Sequence, residues 1–316
     1  RTEDENHLTS KLKNKLGLFC NIEKNYVFES PDVETIYEIP LVLFKQGFDR
    51  AICKRILLRN KKYNKIKLLE KFIRSYKNPR NSVTIAMCGK YNSLHDAYKS
   101  ILEALIHAGV ENISKVNIKW VDTEKLENNN NQVDSYFKDI DGVIIPGGFG
   151  DRGIEGKILA SKYARENNIP FLGICLGLQC AVIDYARHVC DMKNANSTEF
   201  NSKVKFPVID LMNKQKNVST KGATMRLGKY KCNVKARTKA YLAYGKSIIN
   251  ERHRHRYEVN NKFRDKLIDN GLIVSGINKK LDLVEMVELK NHPWFVGVQF
   301  HPELKSRVLR SHPLFR

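Results

Sequence analysis

A chain of 316 residues with 42% hydrophobic and 9% aromatic content holds enough apolar material for two domains, or for one large α/β domain with an appendage, and is not a disordered polymer. No apolar run approaches the roughly 18 residues of a membrane span, and the polar, charged N-terminus is not a secretory signal, so no membrane partner is expected. The formal charge of +21 invites a polyanion, yet the lysines are dispersed among asparagines, as in Asn60-Lys61-Lys62-Tyr63-Asn64-Lys65, without an aromatic-interleaved basic stripe; no nucleic-acid partner is expected.

Residues 1–77 contain two strand candidates, 16–20 and 26–29, followed by helix-like stretches at 32–58, interrupted at Pro40, and at 65–76. A linker turn is predicted at 77–81, and the segment before it is too poor in strands to complete a core alone. From residue 82 strands and helices alternate: strand 83–88, helix 96–108, strands 116–121 and 142–145, helix 156–167, strand 171–174, helix 178–188, with a later buried strand at 295–300. Such alternation predicts an α/β fold with a mostly parallel central sheet flanked by helices, preceded by a mainly helical N-terminal segment. Ligands of such sheets bind outside the carboxyl ends of the strands. Stretches 124–131 and 213–221 read as solvent loops.

Seven cysteines, at 20, 53, 88, 175, 180, 190 and 232, are an odd number without C-x-x-C spacing. They argue against a disulfide framework and a zinc site, and for a reducing, cytoplasmic setting. Cys180 and Cys190 read as fillers on the helix after residue 175. The first residue is Arg1, not methionine, which suggests a portion of something longer.

Gly173-Ile174-Cys175-Leu176-Gly177 is the most informative string. It sits between an apolar strand and a helix, the layout of a nucleophile elbow. A thiol there lies at a helix N-terminus, where the macrodipole favours thiolate, and the Leu176 N–H points to where an oxyanion would form. A buried structural cysteine in an ordinary turn is the alternative. Far downstream, His301-Pro302-Glu303 follows a buried strand and can supply a general base with its orienting carboxylate, giving a Cys-His-Glu order. The glycine-rich turn at 146–153 is either tight geometry, a phosphate cradle, or, beside a nucleophile, the place where a Gly148 N–H joins Leu176 in an oxyanion hole; no G-x-x-x-x-G-K-[ST] loop occurs. Arg252 to Glu258 alternates basic side chains on an expected strand, and His253 and His255 lack a third metal ligand, so an anion-facing strand is expected and no metal. Asn196-Ser197-Thr198-Glu199 is either a helix cap or a loop whose Glu199 pairs with a substrate ammonium.

These residues resemble the class I (triad) glutamine amidotransferase domain of the CTP synthase family, over almost all of residues 82–316. P-G-G-F-G, G-x-C-x-G and H-P-E carry the class I likeness. The strings at 194–200, 225–228, 251–261 and 291–295 narrow it to CTP synthases. Leu18-Phe19-Cys20-Asn21 and residues 36–40 look like the end of that family's amidoligase (synthetase) domain and the interdomain linker, which assigns 1–77 to that remnant and 78–316 to the amidotransferase.

The resemblance implies hydrolysis of L-glutamine to glutamate and ammonia, with the ammonia used in ATP-dependent amination of UTP to CTP by the full-length enzyme, a ligase of pyrimidine biosynthesis. It makes Cys175 the nucleophile, His301 the base and Glu303 its orienter, with Gly148 and Leu176 as oxyanion hole. Gly147, Phe149, Gln179, Glu199, Arg256 and Tyr257 would line the glutamine pocket. GTP, as allosteric activator, would act near Arg152, Gly153, Glu155 and Arg226, and Asp32 and Val33 resemble positions near the ATP adenine. This chain itself would hold no cofactor; Mg-ATP would belong to the amidoligase part, and the full-length protein would be a homo-tetramer. The chain departs from the family pattern in a shorter segment between Phe200 and Gly222 and in Ala223, where a second glycine is usual. A γ-glutamyl peptidase of the same class, or a non-catalytic basic module, are the rival readings.

Overall fold

The computed structural model describes residues 2, 8–59, 65–90, 94–129, 132–211 and 225–316, and the chain divides into two units, Arg1–Pro79 and Arg80–Arg316. The first unit is helical. α1 (Ser10–Cys20) is capped by Thr9, whose side chain accepts from Leu12 N–H, and ends at Asn21 in the left-handed conformation. The strand expected at 16–20 is thus a helix. That at 26–29 is likewise absent: the Lys24–Tyr26 segment is a 3-10 turn, and Gln46 takes up the Glu29 backbone, accepting from its N–H at 2.9 Å and donating to its carbonyl at 2.7 Å. A side-chain amide stands where a partner strand would be.

α2 (Ile39–Lys45) carries Pro40 in its first turn, where the missing N–H is harmless, so the break in the predicted helix falls at Gly47 instead. Gly47, with φ +80°, precedes α3 (Phe48–Arg55). α4 (Lys65–Lys77) buries Phe72 and Ile73, and Phe72 meets Tyr37 edge-on at 4.9 Å between ring centres. These three are the buried hydrophobics among the described residues of this unit, while Leu18, Phe19, Ile36 and Leu57 are exposed.

The second unit opens with β1 (Asn81–Gly89), α5 (Lys99–Glu111) and β2 (Ser114–Asp122). Then comes α6 (Thr123–Asn128), where a loop was expected. Asp122 Oδ1 accepts from Glu124 and Lys125 N–H and nucleates the helix; residues 130 and 131 of the expected loop lie outside the described residues. α7 (Val133–Tyr136), β3 (Gly142–Ile145), α8 (Ile154–Glu166), β4 (Phe171–Ile174) and α9 (Leu176–His188) follow. β5 (Asn196–Ser197), β6 (Pro207–Leu211), β7 (Arg226–Val234), α10 (Lys239–Tyr244), β8 (Ile248–His255), β9 (Tyr257–Val259), α11 (Asn261–Asp269), β10 (Leu272–Asn278), β11 (Leu283–Leu289) and β12 (Phe295–Val298) complete it. The expected loop at 213–221, with Gly222 and Ala223, lies outside the described residues.

The main sheet has the order β2-β1-β3-β4-β12-β11-β10-β7-β8, and β5-β6-β9 form a second, small one. From β2 to β12 every pairing is parallel; from β12 to β8 every pairing is antiparallel. The parallel half is the expected one, and the antiparallel half was not read from the sequence.

In the parallel strands, side chains alternate between two apolar layers. Met87, Ile144, Leu172, Val296 and Val298 join Ile101 and Leu105 of α5, whereas Cys88, Val143, Phe171 and Phe295 join Ala160 and Ala164 of α8. Burial on both faces explains why these strands are short apolar runs without alternation. Their carboxyl ends converge on Cys175 and His301.

Candidate active site

β4 ends at Ile174 and the chain turns at Cys175 directly into α9. Cys175 has φ 53° and ψ −99°, a strained backbone that costs of order 1–3 kcal/mol and persists only where its surroundings over-determine it. They do so here. Its N–H donates to Val298 O at 2.6 Å, and its carbonyl accepts from Gln179 N–H at 3.3 Å. A Cβ on Gly177 would lie 2.3 Å from the Ile145 carbonyl oxygen, so only glycine lets α9 start this close to β3. The Leu176 N–H, in the first turn of α9, has no intrahelical acceptor and is available to an anion.

The thiol is 3% exposed. His301, just past β12, is fixed at both ends: its N–H donates to Arg252 O at 2.8 Å and Nδ1 donates to Glu303 Oε1 at 2.6 Å. Its Nε2 is buried and has no hydrogen-bond partner, so it is free for a substrate proton. Gly147 lies between base and nucleophile. A Cβ there would come 2.7 Å from His301 Cε1 and 3.5 Å from Cys175 Cβ, so the two side chains share one crevice. Gly148 lies beside Leu176, a Cβ on it falling 3.4 Å from Leu176 Cδ2.

Burial alone would raise the thiol pKa, as it does at Cys88, Cys190 and Cys232 and at Cys180, which is pushed up to about 12. At Cys175 the imidazoles of His255 and then His301 override burial and bring the pKa down to about 6. Burial acts to lower His301, but the Cys175 sulfur and then Glu303 raise it to about 10. At neutral pH the pair is therefore thiolate and imidazolium. Gln299 Nε2 donates to Cys175 Sγ at 3.7 Å.

His255 was considered in the sequence only as a metal ligand or part of an anion-facing strand. β8 alternates, turning Glu251, His253 and His255 inward and Arg252 and Arg254 outward. His255 Nε2 donates to Glu258 Oε1 at 2.8 Å, and Glu258 also accepts from Arg226 Nη1 at 3.2 Å. Arg226 Nη2 reaches Glu285 Oε1 at 2.5 Å, and His253 Nε2 lies 3.2 Å from Glu285 Oε2. The one sequence signal for this cluster is the spacing His253-x-His255-x-x-Glu258.

A second group of side chains lies alongside. Glu199 Oε1 accepts from Gly150 N–H at 3.3 Å; burial raises its pKa, opposed by that N–H and by the Arg256 charge. The charges of Glu199 and Arg256 are both felt by Tyr257. Gln179 Nε2 donates to Tyr257 O at 3.0 Å, and the Nε of half-buried Arg256 has no acceptor. Phe149 is half-exposed, with the Arg254 guanidinium 5.9 Å from its ring centre. An apolar cavity of about 390 Å³ lined by Phe171, Trp294 and Leu314 opens at the opposite, amino ends of the strands and holds no nucleophile.

The family model for glutamine amidotransferase class-I matches residues 93–316. The chain belongs to the class I glutamine amidotransferases. A second model, CTP synthase N-terminus, matches residues 1–58. A CTP synthase of Clostridium kluyveri is 52% identical over 99% of this chain and 58% of its own length. One from Chloroherpeton thalassium is 52% identical over 98% of this chain and 56% of its own. The chain thus spans little more than half the length of these relatives. The glutaminase domain of Trypanosoma brucei CTPS, solved with bound acivicin, superposes with a TM-score of 0.70 at 36% identity, covering 74% of this chain and 90% of that one.

In this amidotransferase the residues that resemblance assigns to GTP are dispersed in environment. Arg152 is exposed and pairs with Glu124 at 3.4 Å; Gly153, with φ +66°, caps α8; both oxygens of Glu155 are held by Arg187. Arg226 does not fit that assignment, because its guanidinium is 3% exposed and spent on Glu258 and Glu285. Asp32 and Val33 belong to the first unit, in an extended stretch where Asp32 N–H donates to Thr2 O at 2.8 Å. Among the described residues, no helix is long and apolar enough to cross a membrane.

Proposed function

We propose that this chain hydrolyses L-glutamine to glutamate and ammonia with Cys175 as nucleophile, and that in a longer polypeptide the ammonia aminates ATP-activated UTP to give CTP. One observation carries the reading: among five buried cysteines only the one at the elbow is drawn toward thiolate.

The Cys175 thiolate attacks the side-chain carboxamide carbon, and the resulting oxyanion is met by the N–H groups of Gly148 and Leu176. Each such donor is worth about 10²–10³ in rate. His301 Nε2–H gives its proton to the departing nitrogen, which leaves as ammonia. Water then gives a proton to His301 Nε2 as its oxygen attacks the thioester, and the C–S electron pair returns to sulfur. Glu303 holds the imidazole throughout. Arg256 offers a fork for the α-carboxylate and Glu199 a carboxylate for the α-ammonium, with Gly147, Phe149, Gln179 and Tyr257 shaping the rest. The first unit, poor in buried apolar side chains, fits a remnant of an amidoligase domain, and Arg152, Gly153 and Glu155 remain the candidates for GTP.

The test is ammonia release from glutamine, with and without GTP, by the wild type and Cys175→Ala. The substitution is expected to lower hydrolysis by more than about 10⁴-fold. Activity that survives it removes the mechanism.

A further inference from the structure

We propose that Gln299 is a further catalytic residue of this site: a side-chain amide that donates its N–H to the Cys175 sulfur and steadies it as the thioester is broken. The proposal rests on the glutaminase reading.

The pairing of β12 with β4 sets the two residues side by side. Val298 pairs with Ile174 in parallel register, so Gln299 and Cys175 are the next residues of the two strands as they leave the sheet. The backbone is pinned on both sides: Cys175 N–H donates to Val298 O at 2.6 Å, and Gln299 N–H to Glu285 O at 2.9 Å. Gln299 is fully buried, and its Nε2 donates to Cys175 Sγ at 3.7 Å, within reach of an acceptor as large as sulfur. The same amide leaves its Oε1 buried without a hydrogen-bond partner. An unpaired buried acceptor is unfavourable, and a methionine of similar length would avoid it. Turning the amide over would set the oxygen lone pairs against an anionic sulfur. The N–H end is therefore held where the sulfur needs it, and the stranded oxygen is the consequence.

The chemistry separates this amide from His301. An imidazole changes charge as it carries the proton, whereas a carboxamide neither gains nor loses one near neutral pH. Its N–H dipole is thus the same in every step. The sulfur is not the same: it is anionic before attack, uncharged in the thioester and anionic again on departure. In deacylation water attacks the thioester carbon and gives a proton to His301 Nε2. The C–S bond breaks with its electron pair on sulfur, and glutamate is released. Here the N–H meets growing negative charge, so it favours the transition state over the thioester. In acylation it meets charge that is being lost and gives no such advantage. Gln299 should therefore speed deacylation.

The experiment measures the lifetime of the acyl-enzyme in the full 316-residue chain, wild type against Gln299→Met, which keeps the length and lacks the donor. A pulse of carbon-14 glutamine is chased with excess unlabelled glutamine, and label on the acid-quenched chain is followed with time. Loss of label is expected to be at least about 10-fold slower in Gln299→Met, with kcat and KM falling together so that kcat/KM changes little. A merely structural role would lower kcat/KM and leave the lifetime at its wild-type value; that result overturns the proposal. If Gln299→Met does not fold, the wild-type side-chain amide is read by nitrogen-15-edited NMR. An Nε2–H proton downfield in the thiolate form, moving upfield when iodoacetamide caps Cys175, supports the proposal; one that stays put overturns it. Wild type that takes up no label and releases no ammonia removes the glutaminase reading and this role with it. A labelled Gln299→Met chain that clears as fast as wild type overturns the role of Gln299 alone.

Discussion

β1, β3, β4 and β12 bury alanine, valine, isoleucine, leucine and phenylalanine, with one methionine and one cysteine, whereas β7, β8 and β11 bury Arg226, Glu251, His253, His255, Glu285 and Glu288 in the same sheet. The first half is held by apolar area, at roughly 25 cal/mol per Å², and can be rigid without any matching of charges. The second half must satisfy each buried ion, and such ion pairs are weak evidence for stability. Their placement is better explained by the site. The apolar half delivers Cys175 and His301 on stiff strand ends, and the polar half carries His255, whose imidazole draws the Cys175 pKa down.

Removing a cation from the polar half is the harshest test of this division. Arg226→Met leaves Glu258 and Glu285 buried without their partner, a change expected to cost about 3–5 kcal/mol in urea denaturation. The deficit should depend on pH with a definite sign. Burial already raises Glu285 to about 7 against the pull of Arg226; without the arginine the carboxyl rises further. A carboxyl whose folded pKa is raised weakens the fold as pH climbs past the unfolded value, so the deficit should shrink on acidification toward pH 5. A loss independent of pH would mean that Arg226 serves by packing on Tyr230, 4.4 Å from its guanidinium, instead of by charge.

The apolar half should break through shape. Gly177→Ala puts a methyl 2.3 Å from the Ile145 carbonyl, and neither backbone can yield without moving the elbow. We expect a loss of about 1–3 kcal/mol, flat between pH 5 and 8, together with slower alkylation of Cys175. Stability within 0.5 kcal/mol of wild type, a surface-like effect, would show that α9 can be displaced from β3 and that the elbow is looser than its hydrogen bonds imply.

The same contrast explains what could be read beforehand. Residues 142–145 and 171–174 were legible to the residue, because a short apolar run between turn signals has few other uses in a chain of this kind. Cys175 and His301 were legible from glycine spacing and from the strand before His301. The antiparallel strands were not: Arg226–Val234 and Leu283–Leu289 are laced with charges that periodicity assigns to solvent, and only tertiary pairing buries them. Alternation in β8 shows that His253 and His255 share a face, but not that the face is buried against Glu258 and Glu285. In the first unit Leu16 to Cys20 has strand-like composition, and Thr9 with Asn21 overrides it by capping.

The smallest expected effect sharpens the comparison most. Arg152 and Arg226 are assigned to the same nucleotide by resemblance, yet one is on the loop after β3 with a 60% exposed side chain and the other is sealed in the polar half. The Arg152–Glu124 pair is screened by solvent, so Arg152→Ala should change stability by less than about 1 kcal/mol, and less again at high salt. Its effect should fall instead on the GTP concentration that half-stimulates ammonia release. Arg226→Met should do the reverse, lowering stability at every GTP concentration. A GTP response untouched by Arg152→Ala would remove that arginine from the nucleotide site. A stability loss of several kcal/mol there would show that the loop after β3 is tied into the fold by more than its one exposed ion pair.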